Sequence, residues 1–252
     1  MPGESLKGQT ALVTGAARRI GRATALALAD EGVNVAVHYH QSEDAANEVC
    51  YQVACRGVKA WPLMADLALP QECENLIQRV HQAAGSLDIL INNASIFPVE
   101  TLQEATLESL VANARVNAWA PFVLSRAFGE RALRGKIVNL LDSRIAGHDW
   151  SHVGYILSKH LLAVLTRMTA LALAPHITVN AVAPGLILPP PGRDESYLER
   201  LKDTVPLKRY GSPEDVAHAI LFLLKSDFIT GQVIYVDGGR HLREPADGSH
   251  TD

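Results

Sequence analysis

The stretch Thr-Ala-Leu-Val-Thr-Gly-Ala-Ala-Arg-Arg-Ile-Gly (residues 10–21) decides the fold of this chain. Residues 10–14 form a short apolar run that is typical of a buried strand, and a glycine-containing turn follows it. Residues 19–31 then carry apolar side chains at helical spacing. A strand that passes through such a turn directly into a helix begins a βαβ unit.

The rest of the chain repeats this alternation. Further strands are predicted at 33–38, 58–64, 87–92, 136–141, 177–183 and 232–236, and further helices at 43–56, 70–84, 107–132, 154–174 and 213–225. Strands separated by helices of this length form right-handed crossovers and a parallel sheet that is covered on both faces. The sequence therefore predicts an α/β fold, doubly wound, in a single domain over residues 1–252.

Two segments depart from the alternation. Residues 185–206 are rich in proline and charge and are long for a connection, so we expect a substrate lid there. The polar tail, residues 241–252, is expected to be flexible.

Composition excludes several classes of protein. Of 252 residues, 48% are hydrophobic, and the net charge is −4 with no basic run, so no nucleic-acid partner is expected. The three cysteines have no metal-site spacing, which favours reduced thiols in the cytoplasm and no metal. The first residues lack a signal-peptide core, and no apolar run reaches the roughly 18 residues of a membrane span. We therefore expect a cytoplasmic protein without a membrane partner.

The turn at residues 14–21 predicts a phosphate site. Its small residues let the backbone approach a pyrophosphate, and the N-terminus of the following helix supplies oriented N–H donors. The strand before the turn and the helix after it are the context that such a motif requires. An ordinary strand–helix turn is the alternative.

The end of the second strand bears on the choice of cofactor. A protein that binds NAD would carry an acid there for the ribose 2′-hydroxyl, but this chain reads His-Tyr-His-Gln-Ser (38–42). No acid repels a 2′-phosphate, and His40, Ser42 and Arg18 can donate to one, which favours NADPH over NADH. A metal pair formed by His38 and His40 lacks a third ligand nearby in sequence, and two ordinary strand histidines remain an alternative.

Later strands add further candidates at the same sheet edge. Asp66 and Leu67 follow the third strand, where a side chain can reach an adenine amine, and Asn92-Asn93-Ala94 follows the fourth. Tyr155 and Lys159 are four residues apart and share one helix face. The ammonium is expected to lower the pKa of the phenol toward the working range of a general acid.

Together these residues resemble the short-chain dehydrogenases and reductases over about residues 6–240. The similarity is carried by Thr-Gly-x-x-x-x-x-Gly (14–21), Asp66, Asn-Asn-Ala (92–94), Asn117, Tyr-x-x-x-Lys (155–159), Ala-Pro-Gly (183–185) and Val-Asp-Gly-Gly (236–239). The resemblance implies a seven-stranded Rossmann-type sheet, hydride transfer with a nicotinamide cofactor, and a homotetramer. It also implies that Tyr155 donates a proton, that Lys159 binds the nicotinamide ribose, and that Asn117 helps to hold a proton-relay water.

The predicted cofactor site comprises Gly15, Arg18, Arg19, Ile20, Gly21, His38, Tyr39, His40, Ser42, Asp66, Leu67, Asn93, Ala94, Ser95, Tyr155, Lys159, Pro184 and Gly185.

Two positions depart from the family pattern. Arg19 replaces the second glycine of the turn, and Asp142 replaces the serine that precedes the tyrosine by thirteen residues. Ser143 is adjacent, but a shift of one residue on a strand points the side chain to the other face. Both departures occur together in the pteridine reductases, which the chain also resembles at residues 11–22, 38–40 and 92–95.

The subgroup resemblance implies a pterin substrate. It implies that Arg19 contacts pterin and cofactor phosphate, that Ser95 contacts both ligands, and that Phe97 stacks on the pterin. Asp142 would act with Tyr155 and Lys159 in catalysis. Burial is expected to raise the pKa of Asp142, so that its carboxyl can deliver or relay a proton. Alternatively, Asp142 pairs with Arg144, Arg19 or another cation and only holds its loop.

Two other functions stay open. The first is a carbonyl reductase that acts on a ketone, a sugar or a 3-oxoacyl thioester. A charged carboxylate at residue 142 would disfavour it by repelling a developing alkoxide. The second is a catalytically silent NADPH-binding sensor, which the presence of both Tyr155 and Lys159 disfavours.

Overall fold

Seven parallel strands form one sheet in the order β3-β2-β1-β4-β5-β6-β7. The structure is a computed structural model and describes residues 5–190 and 192–243. The strands are β1 (Thr10–Val13), β2 (Asn34–Tyr39), β3 (Ala60–Met64), β4 (Ile89–Asn92), β5 (Gly135–Leu140), β6 (Ile177–Pro184) and β7 (Val233–Val236). All seven predicted strands are confirmed, and their ends differ from the prediction by at most about two residues.

Eight α-helices connect and cover the strands in the described chain. They are α1 (Arg19–Asp30), α2 (Glu43–Ala54), α3 (Pro70–Ala84), α4 (Leu107–Ala114), α5 (Ala120–Gly129), α6 (Val153–Leu173), α7 (Glu195–Leu201) and α8 (Pro213–Leu224). The predicted helix 107–132 is instead two α-helices joined by a π-helical segment, Arg115–Trp119. Helix α7, which was not predicted, lies in the expected lid.

The sheet is buried on both faces. Helices α1, α2 and α8 cover one face, while α3, α5 and α6 cover the other. Strand β1 shows the alternation directly, since Ala11 and Val13 belong to the first layer and Leu12 to the second. Nearly continuous apolar strands are needed to supply both layers at once.

The strand order places a crevice between β1 and β4. From β1 the connections run to β2 and β3 on one side, whereas β4 begins the other half of the sheet. The loops after β1 and β4 therefore diverge at the carboxyl ends of the strands, which is where ligands bind in sheets of this topology.

Helix α6 is long and apolar enough, by length and composition, to cross a membrane, with a mean hydropathy of 1.4. The core helix of a soluble protein passes the same test, and 44% of the window is buried. Its inner face packs on β6 and carries Tyr155 and Lys159, so the fold accounts for that part of its apolar surface.

The beginning of the predicted flexible tail has regular structure. Arg240–Leu242 form a 3₁₀ turn, and the carboxylate of Asp237 accepts hydrogen bonds from the backbone N–H of Gly239 and of His241. Asp237 therefore satisfies the backbone donors of the turn with which the tail begins, and the flexibility of the tail stays a prediction. Residues 244–252 lie outside the described residues.

Candidate active site

A cavity of about 890 Å³ lies at the carboxyl ends of the strands. Most of the predicted site residues line it: Gly15, Arg18, Arg19, Ile20, Gly21, His38, His40, Asp66, Leu67, Asn93, Ala94, Ser95, Phe97, Asp142, Tyr155, Lys159, Pro184 and Gly185. Three predicted residues, Tyr39, Ser42 and Asn117, lie outside the lining. The cavity thus joins the predicted cofactor residues to the predicted catalytic residues.

The glycine turn after β1 is held against the end of β4. The side-chain amide of Asn93 donates to the carbonyl oxygen of Thr14 at 2.8 Å. A Cβ atom at Gly21 would lie 2.2 Å from the carbonyl oxygen of Gly15, so only glycine fits at the start of α1. Gly15 has a φ of +63°, in the left-handed region that glycine adopts without strain. These contacts bring α1 close to the sheet and leave its N-terminus at the cavity.

His38 braces this turn. Its Nδ1 accepts a hydrogen bond from the backbone N–H of Gly15 at 3.0 Å, and its Nε2 lies 3.2 Å from the carbonyl oxygen of Ala65. The ring is therefore neutral, with its proton on Nε2. Burial lowers the pKa of His38 to about 4. Because both ring nitrogens are engaged, His38 supports the cofactor loop instead of donating to a phosphate or binding a metal.

The turn before α1 and the end of β2 each present one of the predicted donors. Arg18 and His40 are exposed and line the cavity, whereas Ser42 occupies the N-cap position of α2 and Tyr39 packs against the core. The carboxylate of Asp66 accepts from the backbone N–H of Ala68 at 2.9 Å, which shapes the loop after β3. Among the described residues, Asp66 and Asp142 are the only acids in the cavity wall.

Arg19 reaches across the cavity mouth. Its φ of +55° is in the left-handed region, which accounts for the glycine that the family has at this position. Its Nη2 donates to the carbonyl oxygen of Pro189 at 2.8 Å. Arg19 therefore ties the cofactor turn to the expected lid.

The lid segment contributes an apolar wall that includes Leu186, Ile187, Leu188, Pro190 and Tyr197. The sequence shows the apolar run 186–191 at the start of this segment, but the contribution of Tyr197 was not predicted. Nothing in the local sequence shows which side of α7 faces the cavity, so the position of Tyr197 in the cavity wall could not be predicted.

Tyr155 and Lys159 come from the buried face of α6. The Tyr155 hydroxyl donates to Oδ2 of Asp142 at 3.0 Å, and Lys159 Nζ donates to the carbonyl oxygen of Leu140 at 2.7 Å. Lys159 Nζ lies 5.6 Å from the centre of the Tyr155 ring. Burial lowers the pKa of Lys159 to about 8.

The pKa of Tyr155 is shifted in the direction opposite to the prediction. Burial, followed by the negative charge of Asp142, raises it well above the usual value for a phenol. Arg144 opposes the shift but does not reverse it. The expectation based on Lys159 was wrong because the phenol donates to a carboxylate in a buried site.

Asp142 is paired with Arg144. Its Oδ1 accepts from the backbone N–H of Arg144 at 2.8 Å and from Nε at 3.0 Å, and its Oδ2 accepts from Nη2 at 2.8 Å. Burial favours the neutral acid, but the guanidinium and these hydrogen bonds outweigh burial and lower the pKa of Asp142. The predicted rise was therefore wrong, and the pairing with Arg144 that the sequence left open is present.

Arg144 also organises the aromatic side of the site. It pairs with Asp149, and its guanidinium carbon lies 4.9 Å from the centre of the Phe97 ring. His152 stacks on Phe97 with ring centres 4.0 Å apart, and Asp149 Oδ2 lies 3.1 Å from His152 Nδ1. Tyr155 meets Phe97 edge-on at 4.6 Å. The ring predicted to stack on a pterin therefore has His152 on one of its faces.

Asn117 fastens the loop after β4 to α6. Its Oδ1 accepts from Ser95 Oγ at 3.0 Å and from the backbone N–H of Ile96 at 2.9 Å. Its Nδ2 donates to the carbonyl oxygen of Ile96 and to Ser158 Oγ, both at 3.0 Å. The side chain is buried and engaged within the protein, so it positions Ser95 beside the cavity.

Ser143 lies in the cavity wall, although the sequence predicted that its side chain would point to the other face. It is buried and lines the cavity, because β5 ends at Leu140 and Ser143 begins a 3₁₀ turn, Ser143–Ala146. The alternation of a strand therefore does not apply at this position. Arg144, His152 and Arg240 were also missed as lining residues. Arg144 and His152 lie between Asp142 and Tyr155 in the sequence, and only this position could have indicated that they line the cavity.

Comparison with known proteins places the chain in one family. The family described as enoyl-(acyl carrier protein) reductase matches residues 15–241. The 3-oxoacyl-[acyl-carrier-protein] reductase of Staphylococcus epidermidis is 34% identical over 251 residues, covering 93% of this chain and 99% of that protein.

Two solved structures share the fold. One is the promiscuous reductase LugOII, described as catalysing keto-reduction at C1 during lugdunomycin biosynthesis. It is 35% identical with a TM-score of 0.87, covering 94% of this chain and 100% of that one. The other is FolM alternative dihydrofolate reductase 1 from Brucella canis in complex with NADP, which is 30% identical with a TM-score of 0.91, covering 97% and 98%. The seven-stranded sheet, the Tyr155–Lys159 pair and these similarities show that this oxidoreductase belongs to the short-chain dehydrogenase/reductase family.

Proposed function

We propose that this protein is an NADPH-dependent reductase whose proton donor is Tyr155. The observation that carries the proposal is that Tyr155 and Lys159 share one cavity with the glycine turn. The turn fits a dinucleotide because Gly21 tolerates no Cβ atom and the N-terminus of α1 faces the cavity. Arg18 and His40 fit a 2′-phosphate, since both line the cavity, Arg18 at the N-terminus of α1 and His40 after β2. NADPH, when bound, supplies the hydride.

The protein's own residues would manage the proton. As the hydride adds to carbon, the Tyr155 O–H bond breaks and a new bond forms to the oxygen or nitrogen of the substrate. Tyr155 then regains a proton from solvent, so that one C=O or C=N bond is reduced by two electrons and two hydrogens. Lys159 holds positive charge near the phenolate that forms.

A carbonyl substrate has the broader support from the relatives. The Staphylococcus epidermidis relative is named a 3-oxoacyl reductase, and LugOII is described by a keto-reduction. The bidentate contact of Arg144 also offsets part of the negative charge of the Asp142 carboxylate. That pairing weakens the repulsion of a developing alkoxide, which was the objection to this alternative. The favoured substrate class is therefore a ketone or a 3-oxoacyl thioester.

A pterin is the second candidate, and one specific observation favours it. A carboxylate occupies the position beside Tyr155 where most family members have a serine, and a carboxylate can accept hydrogen bonds from the amino and ring N–H groups of a pterin. The Brucella canis neighbour is named an alternative dihydrofolate reductase. Stacking on the Phe97 face that His152 covers would require His152 to move.

Oxidation of NADPH, followed optically, tests both candidates with a 3-oxoacyl thioester, a panel of ketones, dihydrobiopterin and dihydrofolate. Turnover of carbonyl compounds alone would exclude the pterin, and turnover of pterins alone would exclude the carbonyl. No oxidation with any of these substrates, together with tight NADPH binding, would instead support a silent sensor.

Two substitutions at one position sharpen this experiment. Asp142→Ser restores the hydroxyl that the family uses at a carbonyl, whereas Asp142→Asn keeps the shape and removes the charge. For a pterin reductase, both variants should lose turnover by tenfold or more, since a charge-assisted hydrogen bond is worth about 1.5–3 kcal/mol. For a carbonyl reductase, Asp142→Ser should retain or gain activity. The dissociation constant for NADPH is the control in each case.

We further propose a cytoplasmic homotetramer. Helix α6 presents exposed apolar side chains at coiled-coil spacing, at Leu157, Leu161, Val164, Met168 and Leu171. A stripe of this kind supports contact with another copy of the chain. The three cysteines are free thiols, which supports a reducing compartment. Sedimentation analysis would test the assembly, and a monomeric species at micromolar concentration would contradict it.

A further inference from the structure

One guanidinium group connects the two carboxylates near the catalytic tyrosine. Arg144 donates to both oxygens of Asp142 and pairs with Asp149. Its guanidinium carbon lies 4.9 Å from the ring centre of Phe97 and 5.5 Å from that of Tyr155. Arg144 therefore contacts Asp142 and both aromatic rings that frame the reacting end of the cavity.

The contact with Asp142 uses the shape of arginine. Nε of Arg144 donates to Oδ1 of Asp142 at 3.0 Å, and Nη2 donates to Oδ2 at 2.8 Å. Two parallel donors therefore hold one carboxylate. A lysine ammonium is a compact point charge and cannot reproduce this planar fork. Oδ2 also accepts the hydroxyl of Tyr155 at 3.0 Å. With the carboxylate held in this way, Tyr155 donates to Asp142, and Asp142 has no proton to give.

The other charged groups around Asp142 do not replace Arg144. Helix α6 contributes Tyr155 and Lys159, but Lys159 is hydrogen-bonded to the carbonyl oxygen of Leu140. Asp149 and His152 lie beyond Arg144, and Asp149 adds negative charge. The 3₁₀ turn that carries Arg240 and His241 packs against the turn that follows Asp142, and Asp237 holds His241 within it.

We propose that Arg144 is a positioning residue that keeps Asp142 deprotonated, so that Tyr155 alone delivers the proton to the substrate. This inference rests on the proposed function and adds a division of roles to it. In the reductive step the O–H bond of Tyr155 breaks while Asp142 remains a hydrogen-bond acceptor throughout. Without Arg144, a carboxyl that is buried and lacks its cation takes up a proton and becomes a second donor beside the tyrosine.

The test compares Arg144→Met, Arg144→Lys and the control Arg126→Met. Arg126 pairs with Glu74 at the surface and neither residue lines the cavity, so its replacement removes an arginine–carboxylate pair outside the site. The titration of Asp142 is followed by NMR with ¹³C-labelled aspartate carboxyls, with Asp142→Asn used to assign its signal. The acid limb of the kcat profile is measured in parallel.

In Arg144→Met, the titration of Asp142 and the acid limb of kcat should both move upward by about 1–3 pH units, the effect of a cation at this distance. Arg144→Lys should give an intermediate shift, and Arg126→Met should give none. The limb that moves with Asp142 should disappear when Asp142→Asn is added to Arg144→Met, because no carboxyl is left at this position to titrate.

An unmoved Asp142 titration in folded Arg144→Met, judged by circular dichroism, would overturn the proposal. If Arg144→Met does not fold, Arg144→Lys decides: a titration identical to that of the parent protein would equally overturn it. The NMR titration needs neither substrate nor turnover. A failure of the proposed reductase activity is therefore distinguishable from a failure of this role for Arg144.

Discussion

The hydroxyl of Tyr155 donates to Oδ2 of Asp142 at 3.0 Å, and this contact decides the protonation pattern of the site. The phenol holds the proton because burial and the carboxylate both raise its pKa. An alkoxide or amide anion that forms during hydride transfer is basic enough to take that proton. Tyr155 is thus a donor that releases its proton only when negative charge develops on the substrate.

Replacing Tyr155 with phenylalanine should remove this donor. We expect kcat to fall by about 10²–10⁴, the usual contribution of a positioned general acid, with the NADPH dissociation constant nearly unchanged. Tyr51→Phe, at an exposed tyrosine on α2, is the matched control and should keep full activity. Stopped-flow measurement of NADPH oxidation gives the rate. A Tyr155→Phe variant with more than a tenth of the parental kcat would exclude Tyr155 as the donor.

Lys159 should make stability depend on pH in the alkaline range. Its pKa is about 8 in the folded protein, against an ordinary value near 10.5. Between these values the unfolded chain binds more protons, so this group's contribution to the free energy of unfolding rises with pH, by about 3 kcal/mol in all. Urea unfolding of the parent protein and Lys159→Met, compared at pH 8 and 10, measures the difference. A difference that stays constant would contradict the lowered pKa.

His38 should weaken the fold at acid pH. Its pKa is about 4 in the folded protein, below the ordinary value of 6.5, so the unfolded chain binds a proton first as pH falls. Stability should therefore decline from pH 6.5 to 4 by about 3 kcal/mol on account of this group. His38→Gln can keep both hydrogen bonds without titrating and should lose this part of the decline. His218→Gln, at an exposed position on α8, should retain it.

Selection of the cofactor should depend on charge at residue 40. His40→Asp places an acid where proteins that bind NAD carry one, so we expect weaker NADPH binding by about tenfold or more and no loss of NADH binding. His40→Asn removes the imidazole ring without adding negative charge and should change the preference much less. Fluorescence titration with the two nucleotides gives both dissociation constants. An unchanged ratio in His40→Asp would show that the 2′-phosphate binds elsewhere.

The sequence predicted the parts of this molecule that follow from periodicity and motif spacing. Buried strands such as Ile89–Asn92 are apolar up to their last residue, and residues that follow such strands must meet at one sheet edge. The position of Asn93 in the cavity wall could therefore be predicted from topology. The positions of Tyr155 and Lys159 in that wall were implied by the resemblance of their motif to the family, since spacing alone places them only on one helix face.

Electrostatic roles could not be predicted in the same way. The pKa of Asp142 depends on whether burial or Arg144 dominates, and that balance depends on three hydrogen bonds that spacing does not specify. From the sequence alone, His38 could equally donate to a phosphate or support the loop after β1. Its role follows from the positions of Gly15 and Ala65, which are distant in the chain.

Because of the π-helical segment Arg115–Trp119, the geometry of the site depends on the number of residues between α4 and α5. The segment inserts one extra residue between α4 and α5, and each residue rotates a helix by about 100°. Deleting a single residue here would allow an unbroken α-helix, but the two halves could no longer keep their present faces. Either Asn117 would turn away from Ser95, or Leu124 and Phe128 would leave the core. Substitutions in this stretch are therefore compatible with the site, whereas the deletion of one residue is not.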